Sequence, residues 1–545
     1  MKNTNTFKKS RLLGLVKSIV LAAVIFPLNS CDDSFLERQP LDKISEADVW
    51  GDEKLIEAFV NSCYNTRHGF LVDFYMMPLT DEAYRRGRET YHLINRGELT
   101  PVNNTALDHW GNFYGIVTNC NIFFANIEKA PINEGVKARM IGEVTFLRAY
   151  AYFRLISLYG GVPLITDVFT LNDDFSVTRD SYEACSDFVV QELSKASELL
   201  PLSYTGANQG RVTKGAALAL KARALLYAAS PLNNPGNDKA KWQAAADAAK
   251  AVVDMGTYNL FPNYKNLFLT PFNSEIIWSR QFRNNQRVEH SIDLHFFPNG
   301  SGGYGQVNPL HNLVDAFELK SGKLPSEDPA YNHQAPYANR DPRFYDCILY
   351  DGAPWQNRQL GAYLPGGPDS SEGVEGWNAS FTSYSVRKFV NESVGRPSLT
   401  NLGNTPWVFI RYAEVLLNYA EAMYHVGDEA AAREYVNKVR SRESVQMPPV
   451  TESGADLLKR IRHERQIELV FEEHRFFDVR RWKIAMQTDN EDAKKMVINR
   501  NAATGAKTYK VEIFQPRTFN ERNHLVPIPQ SEIERNAKLE QNPGY

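Results

Sequence analysis

Two stretches dense in helix-forming pattern flank one dense in turn residues, and that order constrains the fold more than any other feature of the chain. In the first stretch, residues 138–159 place Ile141, Val144, Leu147, Tyr150 and Phe153 at helical spacing, and Gly160, Gly161 and Pro163 then stop the helix. Residues 214–230 are rich in Ala and Leu and halt at Pro231; residues 240–255 carry Trp242 and end at Gly256. The second stretch spans 409–486. There, 413–426, a turn at Gly427-Asp428, and 429–443 predict a helix–turn–helix unit. Tyr419, Ala420, Ala422, Gly427, Ala431 and Ala432 put small and aromatic residues where a tetratricopeptide-like pair packs closely. The earlier pairs keep no strict period of about 34 residues, so the expectation is irregular helix pairs stacked into a scaffold. Between the two stretches, 271–406 is punctuated every few residues by Gly and Pro, as at Gly300-Ser301-Gly302-Gly303 and Pro365-Gly366-Gly367-Pro368. Short strands are expected there at 275–279 and 383–390. The fold class is therefore mainly α, with a long loop-rich region carrying short strands, the kind of surface on which binding usually resides.

The N-terminus places Lys2, Lys8, Lys9 and Arg11 ahead of a mostly apolar run from 12 to 28, interrupted by Lys17. This has the layout of a secretory signal, too short and badly flanked to span a bilayer. Ser30-Cys31-Asp32-Asp33 then resembles a bacterial lipoprotein cleavage site, with Cys31 acylated and first in the mature chain. Residues 1–30 read as signal and 31–44 as lipidated Cys and tether, followed by an N-terminal helical part (45–270), a loop-rich ligand-binding part (271–406) and a C-terminal helical part (407–545). The last three are expected to form one globular unit. Removing 1–30 takes away five basic residues and no acid, so the net charge of −3 becomes −8. An acidic mature chain argues against a nucleic-acid partner. Cys63, Cys120, Cys185 and Cys347 form no C-x-x-C pair and read as buried thiols, a single bridge staying open.

Catalytic signal is absent from the sequence. Asp81-Glu82 and Glu472-Glu473 are adjacent, which does not place two carboxylates across a glycosidic bond. Arg462, Glu464, Arg465, Glu468, Glu472 and Arg475 have the spacing of a helix held by i,i+3 and i,i+4 ion pairs. His463-Glu464 lacks the second His of H-E-x-x-H, since Ile467 stands there, and no metal site or cofactor is expected. Sugar binding has better material. A sugar ring shows apolar C–H faces and a hydroxyl rim, so its site wants exposed aromatics beside Asn, Gln, Asp or Arg. Trp355 with Asn357, Trp377 with Asn378, and Tyr304 with Gln306 and Asn308 have that composition. Trp110, Trp242, Trp407 and Trp482 are expected in the core.

Several stretches, in order along the whole chain, resemble the SusD/RagB family of outer-membrane nutrient-binding lipoproteins. They are Phe35-Leu36-Glu37-Arg38-Gln39-Pro40, then Phe146-Leu147-Arg148-Ala149-Tyr150 running on to Tyr159-Gly160-Gly161-Val162-Pro163. Leu313 to Glu318, Arg340-Asp341-Pro342-Arg343-Phe344 and Arg411-Tyr412-Ala413-Glu414 follow, then Glu464-Arg465, Arg481-Trp482, Pro527-Ile528-Pro529 and Asn542-Pro543-Gly544-Tyr545. The resemblance implies a binding protein without turnover, lipid-anchored at Cys31 on the outer membrane and facing the exterior. Its partners would be a glycan ligand and a SusC-like TonB-dependent barrel transporter. It also directs attention to the segment after Thr80, where Asp81, Tyr84, Arg85 and Tyr91 become candidate ligand contacts. Peptide binding by the same architecture, an anchored glycoside hydrolase and a bare helical scaffold are the alternatives.

Overall fold

A computed structural model describes residues 46–64, 76–170, 172–283 and 290–545. Cys31, with the expected signal and tether, lies outside the described residues. The helices of seven or more residues are α1 (Glu53–Tyr64), α2 (Glu89–Asn95), α3 (Trp110–Ile127), α4 (Glu134–Tyr159), α5 (Tyr182–Leu199), α6 (Lys214–Ala229), α7 (Lys239–Asp254), α8 (Tyr412–Val426), α9 (Glu429–Arg440), α10 (Gly454–Glu468) and α11 (His474–Arg481). Their starts follow local chemistry. Asn133, Ser181, Thr213, Asp238 and Asp428 each accept hydrogen bonds from the first free backbone N–H groups of α4, α5, α6, α7 and α9. Gly427, in the left-handed region at φ +114°, ends α8.

Helices α3 to α9 form one array in which each packs on the next. The step from α7 to α8 is made in space although residues 255–411 separate them in sequence, so the two helical stretches close into a single stack. Helix α4 runs through its middle with nearly every side chain from Gly142 to Tyr159 buried. Gly142 permits the crossing with α5: a Cβ there would lie 2.9 Å from Leu199 Cβ. Gly142→Ala gains about 1 kcal/mol of helix propensity but costs about 1–3 kcal/mol of overpacking. A lowered denaturation midpoint is the expected net result, and an unchanged or raised one would show that the crossing has room. Cys63, Cys120, Cys185 and Cys347 are all buried and unpaired.

The intervening region is tied down by short antiparallel ladders. These are β1 (Ala83–Arg85) with β3 (Val307–Pro309), β2 (Ile276–Arg280) with β8 (Trp407–Arg411), β4 (Ile348–Leu349) with β7 (Ser385–Val386), and β5 (Pro354–Trp355) with β6 (Arg358–Gln359). The strand expected over 383–390 shrinks to two residues, because Ser383 (φ +66°) and Phe389 (φ +71°) break the extended run on either side. A long hairpin of β9 (Ala493–Arg500) and β10 (Lys507–Gln515) was not anticipated from the sequence. A second apolar core, with Phe297, Phe344, Trp355 and Tyr384, fills this region and includes Ile467 and Phe471 from the C-terminal part.

A buried ion network joins the loop-rich region to the helical array. Glu468 accepts from Arg343 at 2.9 Å, Arg411 at 2.7 Å and Arg442 at 2.6 Å. Glu464 binds Arg343 and Arg440, Glu472 binds Arg411 and Lys388, and Glu275 binds Arg411 and Arg442. This corrects the expectation of a helix held by its own i,i+4 pairs. The helix stops at Glu468, Phe471 and Glu473 take positive φ, and the charges pair with other segments. Burial alone would raise Glu468, yet Arg442, Arg411 and Arg343 hold it well below the usual carboxylate range. Asp341, Arg343, Arg411, Glu464 and Glu318 all belong to the motifs that carry the family resemblance. These motifs build the scaffold.

Candidate functional site

The ladder between β1 and β3 decides which residues after Thr80 face outward. Tyr84 lies opposite Asn308, with Ala83 opposite Pro309 and Arg85 opposite Val307. Alternation along the strand sends Ala83 and Arg85 inward, at 0% and 2% exposed, and leaves Tyr84 and then Arg86 on the outer face. Arg85 is therefore an interior side chain in this structure. Asp81 is engaged by Arg475 through two bonds of 2.8 and 2.6 Å, and Tyr91 is buried on α2.

Three segments meet on the outer face. Arg86 N donates to Gln306 O at 2.9 Å, and Arg86 Nη1 donates to Ala379 O at 2.9 Å. Phe381 N donates to Asn308 Oδ1 at 3.1 Å. Gly305 (φ +48°) lets the 304–308 segment press against 376–381, since a Cβ there would lie 2.3 Å from Asn378 O. The aromatic face so made has Tyr84 stacked on His92 (4.8 Å, 20°), with Phe514 and Phe381 at 5.1 and 5.5 Å. The Arg86 guanidinium lies 5.3 Å over the Phe381 ring. Phe381 is half exposed and Trp377 is 69% exposed, unusual for rings of this size. Beside them opens a cavity of about 310 Å³ whose far wall is β9, from Lys495 to Ile498.

Of the residues predicted from composition, the structure brings Tyr304, Trp377 and Asn378 to this neighbourhood. Tyr304 is partly buried near His295, and Asn378 is buried at the base of the Trp377 turn. Trp355 goes elsewhere. It is fully buried, its Nε1 donating to Ser301 Oγ at 2.9 Å and its ring edge-on to Phe297, so in this structure it is a core residue and no surface platform. Asn357 is exposed at the tip of the β5–β6 hairpin; its neighbour Arg358 reaches Asp369, which lines the cavity. Among the cavity residues that composition does not single out are Phe381 and Lys495. The alternation of 493–500 and 507–515 around a turn holding Gly505 is the signal that predicts the hairpin carrying Lys495; no local pattern marks Phe381. Among the described residues, no group of three or more His, Cys, Asp or Glu is placed to hold a metal ion.

Comparison with known proteins covers most of the chain. The SusD family model matches residues 274–545, and a model described as starch-binding, associating with outer membrane, matches 34–226. A SusD-like protein of Formosa agariphila is 27% identical over 499 residues, 84% of this chain and 90% of its own. A SusD-like protein structure from Bacteroides fragilis is 32% identical with a TM-score of 0.80, covering 93% of this chain and 100% of that one. A SusD-like carbohydrate binding protein from the same species is 28% identical with a TM-score of 0.79, over 90% of this chain and 100% of that one. The fold extends to a laminarin binding SusD-like protein at 22% identity and TM-score 0.67, over 91% of this chain and 100% of that one. With several of its motifs meeting in one buried network and 93% of its length covered by such a structure, the chain belongs to the SusD/RagB family of carbohydrate-binding proteins that associate with the outer membrane.

Proposed function

We propose that this protein captures a glycan, without cleaving it, on the face formed by Tyr84, Arg86, Trp377 and Phe381, and passes it to a TonB-dependent barrel transporter. The observation that carries the reading is the pair of large exposed rings, Phe381 and Trp377, beside a cavity rimmed by serine hydroxyls and an arginine. Stacking on such rings buries the apolar face of a sugar while the hydroxyls meet polar groups around it. Lipid attachment through Cys31 would hold the site on the cell surface beside its transporter, where tethering raises the local concentration of a modestly bound ligand. Recovery of a large β-barrel with the tagged native chain is the expected partner result; repeated pull-downs without one would remove the transporter from the reading.

Calorimetry of the purified chain against plant, host and microbial glycans and peptide mixtures, with a product check on every hit, tests the capture role. Binding of one glycan class without product is expected. Phe381→Ala and Trp377→Ala should each lose about 1.5–3 kcal/mol of binding, roughly tenfold to a hundredfold in Kd. Unchanged affinity in both variants would move the site away from this face, and product formation would replace capture by hydrolysis.

A further inference from the structure

We propose that the ligand taken by this face is an anionic glycan, one bearing carboxylate or sulfate groups, whose charge is met by Arg86 and Lys495. The inference rests on the glycan-capture reading and specifies the class of glycan.

The geometry starts from the charges that line the cavity. Arg86 spends one guanidinium N–H on Ala379 O and lies against the Phe381 ring; among the described residues no carboxylate pairs with it. Partial burial without a counter-charge pulls its pKa below the ordinary arginine value. On the opposite wall Lys495 has one acidic neighbour, Glu512, at 4.0 Å across the hairpin. Of the nearby carboxylates, Asp369 and Glu375 are committed to arginines. Asp369 accepts from Arg358 at 2.6 and 2.7 Å and from Gly361 N at 2.8 Å. Glu375 is held by Arg396. Burial first, and then the charges of Arg85 and of the exposed Arg88, push His295 down to about 4.

A neutral sugar would leave Arg86 and Lys495 facing a ligand that brings no charge. A carboxylate or sulfate would accept from the remaining N–H groups of Arg86, whose planar fork suits both anions. The ring of Phe381 serves both parts of such a ligand, since it lies under the guanidinium and is still half exposed to the sugar. Cations facing each other across a cavity also favour a ligand that repeats its charge along a chain.

Calorimetry with three oligomers of matched length decides the matter: oligogalacturonate, sulfated dextran and neutral dextran. At low salt, at least one charged oligomer is expected to bind roughly tenfold tighter than the neutral one, the preference shrinking at high salt. Which of the two binds identifies the anion. Lys495→Gln should lower affinity for it by roughly tenfold while leaving the melting temperature in place, and Arg86→Gln should lower it by at least as much and flatten its salt dependence. Preference for the neutral oligomer, with Arg86→Gln silent and Phe381→Ala still damaging, would overturn the anionic inference and leave glycan capture standing. Failure of all three oligomers and of the wider glycan panel would overturn both.

Discussion

Arg411→Met is expected to destabilise the fold by about 3–5 kcal/mol, a large part of the stability of a typical protein. The side chain is 1% exposed and neutralises three carboxylates at once, with bonds of 2.7 Å to Glu275, Glu468 and Glu472. Methionine fills much of the volume but leaves those acids to Arg442, Lys388 and Arg343, and Arg343 is already shared with Asp341 and Glu464, so negative charge is left in excess in a dry interior. An unfolding free energy from urea titration lowered by under about 1 kcal/mol would mean that the network tolerates the deficit. The same network sets the acid limit of the protein. Its Glu464, Glu468 and Glu472 are held low by their arginines and lysine, and in a second buried cluster Glu421, which burial by itself would raise, is brought down to about 2 by Arg481, Arg465 and Trp482. Folded values below the ordinary 4.5 mean that this stabilisation is complete above about pH 4.5 and is lost as pH falls towards 2.

The second large effect lies on the alkaline side. Glu82 is 1% exposed, and burial first, then the charge of Asp81, lift its carboxyl to about 8. One of its oxygens, Oε1, has no hydrogen-bond partner among the described residues. With the folded value above the ordinary 4.5, the protein is favoured while Glu82 is protonated and loses stability as pH rises from 4.5 through 8. Glu82→Gln cannot ionise. It should match the parent near pH 4 and exceed it above pH 8 by on the order of 4–5 kcal/mol. Parallel stability–pH curves for the two proteins would show that Glu82 does not titrate with folding.

Helices were the legible part of this chain because their signals are local: the caps at Ser181, Thr213 and Asp428 and the stop at Gly160-Gly161 stand beside the residues they govern. The ion network was not legible. Glu468 looks like any helical glutamate until Arg343, Arg411 and Arg442, distant from it in the chain, are brought around it. The site failed and succeeded for the same reason. Tyr84 and Arg85 are equivalent as letters, and pairing with Asn308 and Val307, more than two hundred residues away, turns one outward and the other inward. Trp355 and Trp377 have similar neighbours in sequence, yet the first is buried against Phe297 and Ser301 and the second stands 69% exposed.

The neighbouring placement of α7 and α8 has a consequence for how the molecule comes into being. A ribosome finishes α7 at Asp254 long before it reaches Tyr412, so the flank of α7 that α8 will cover waits, wet and apolar, through the synthesis of everything between. The network that fastens that intervening region needs Glu464, Glu468 and Glu472, which emerge later still. Contacts this distant in sequence make for slow assembly. Refolding is therefore expected to show early helix formation followed by a late, concerted consolidation, and the half-made chain is the form most in need of a chaperone.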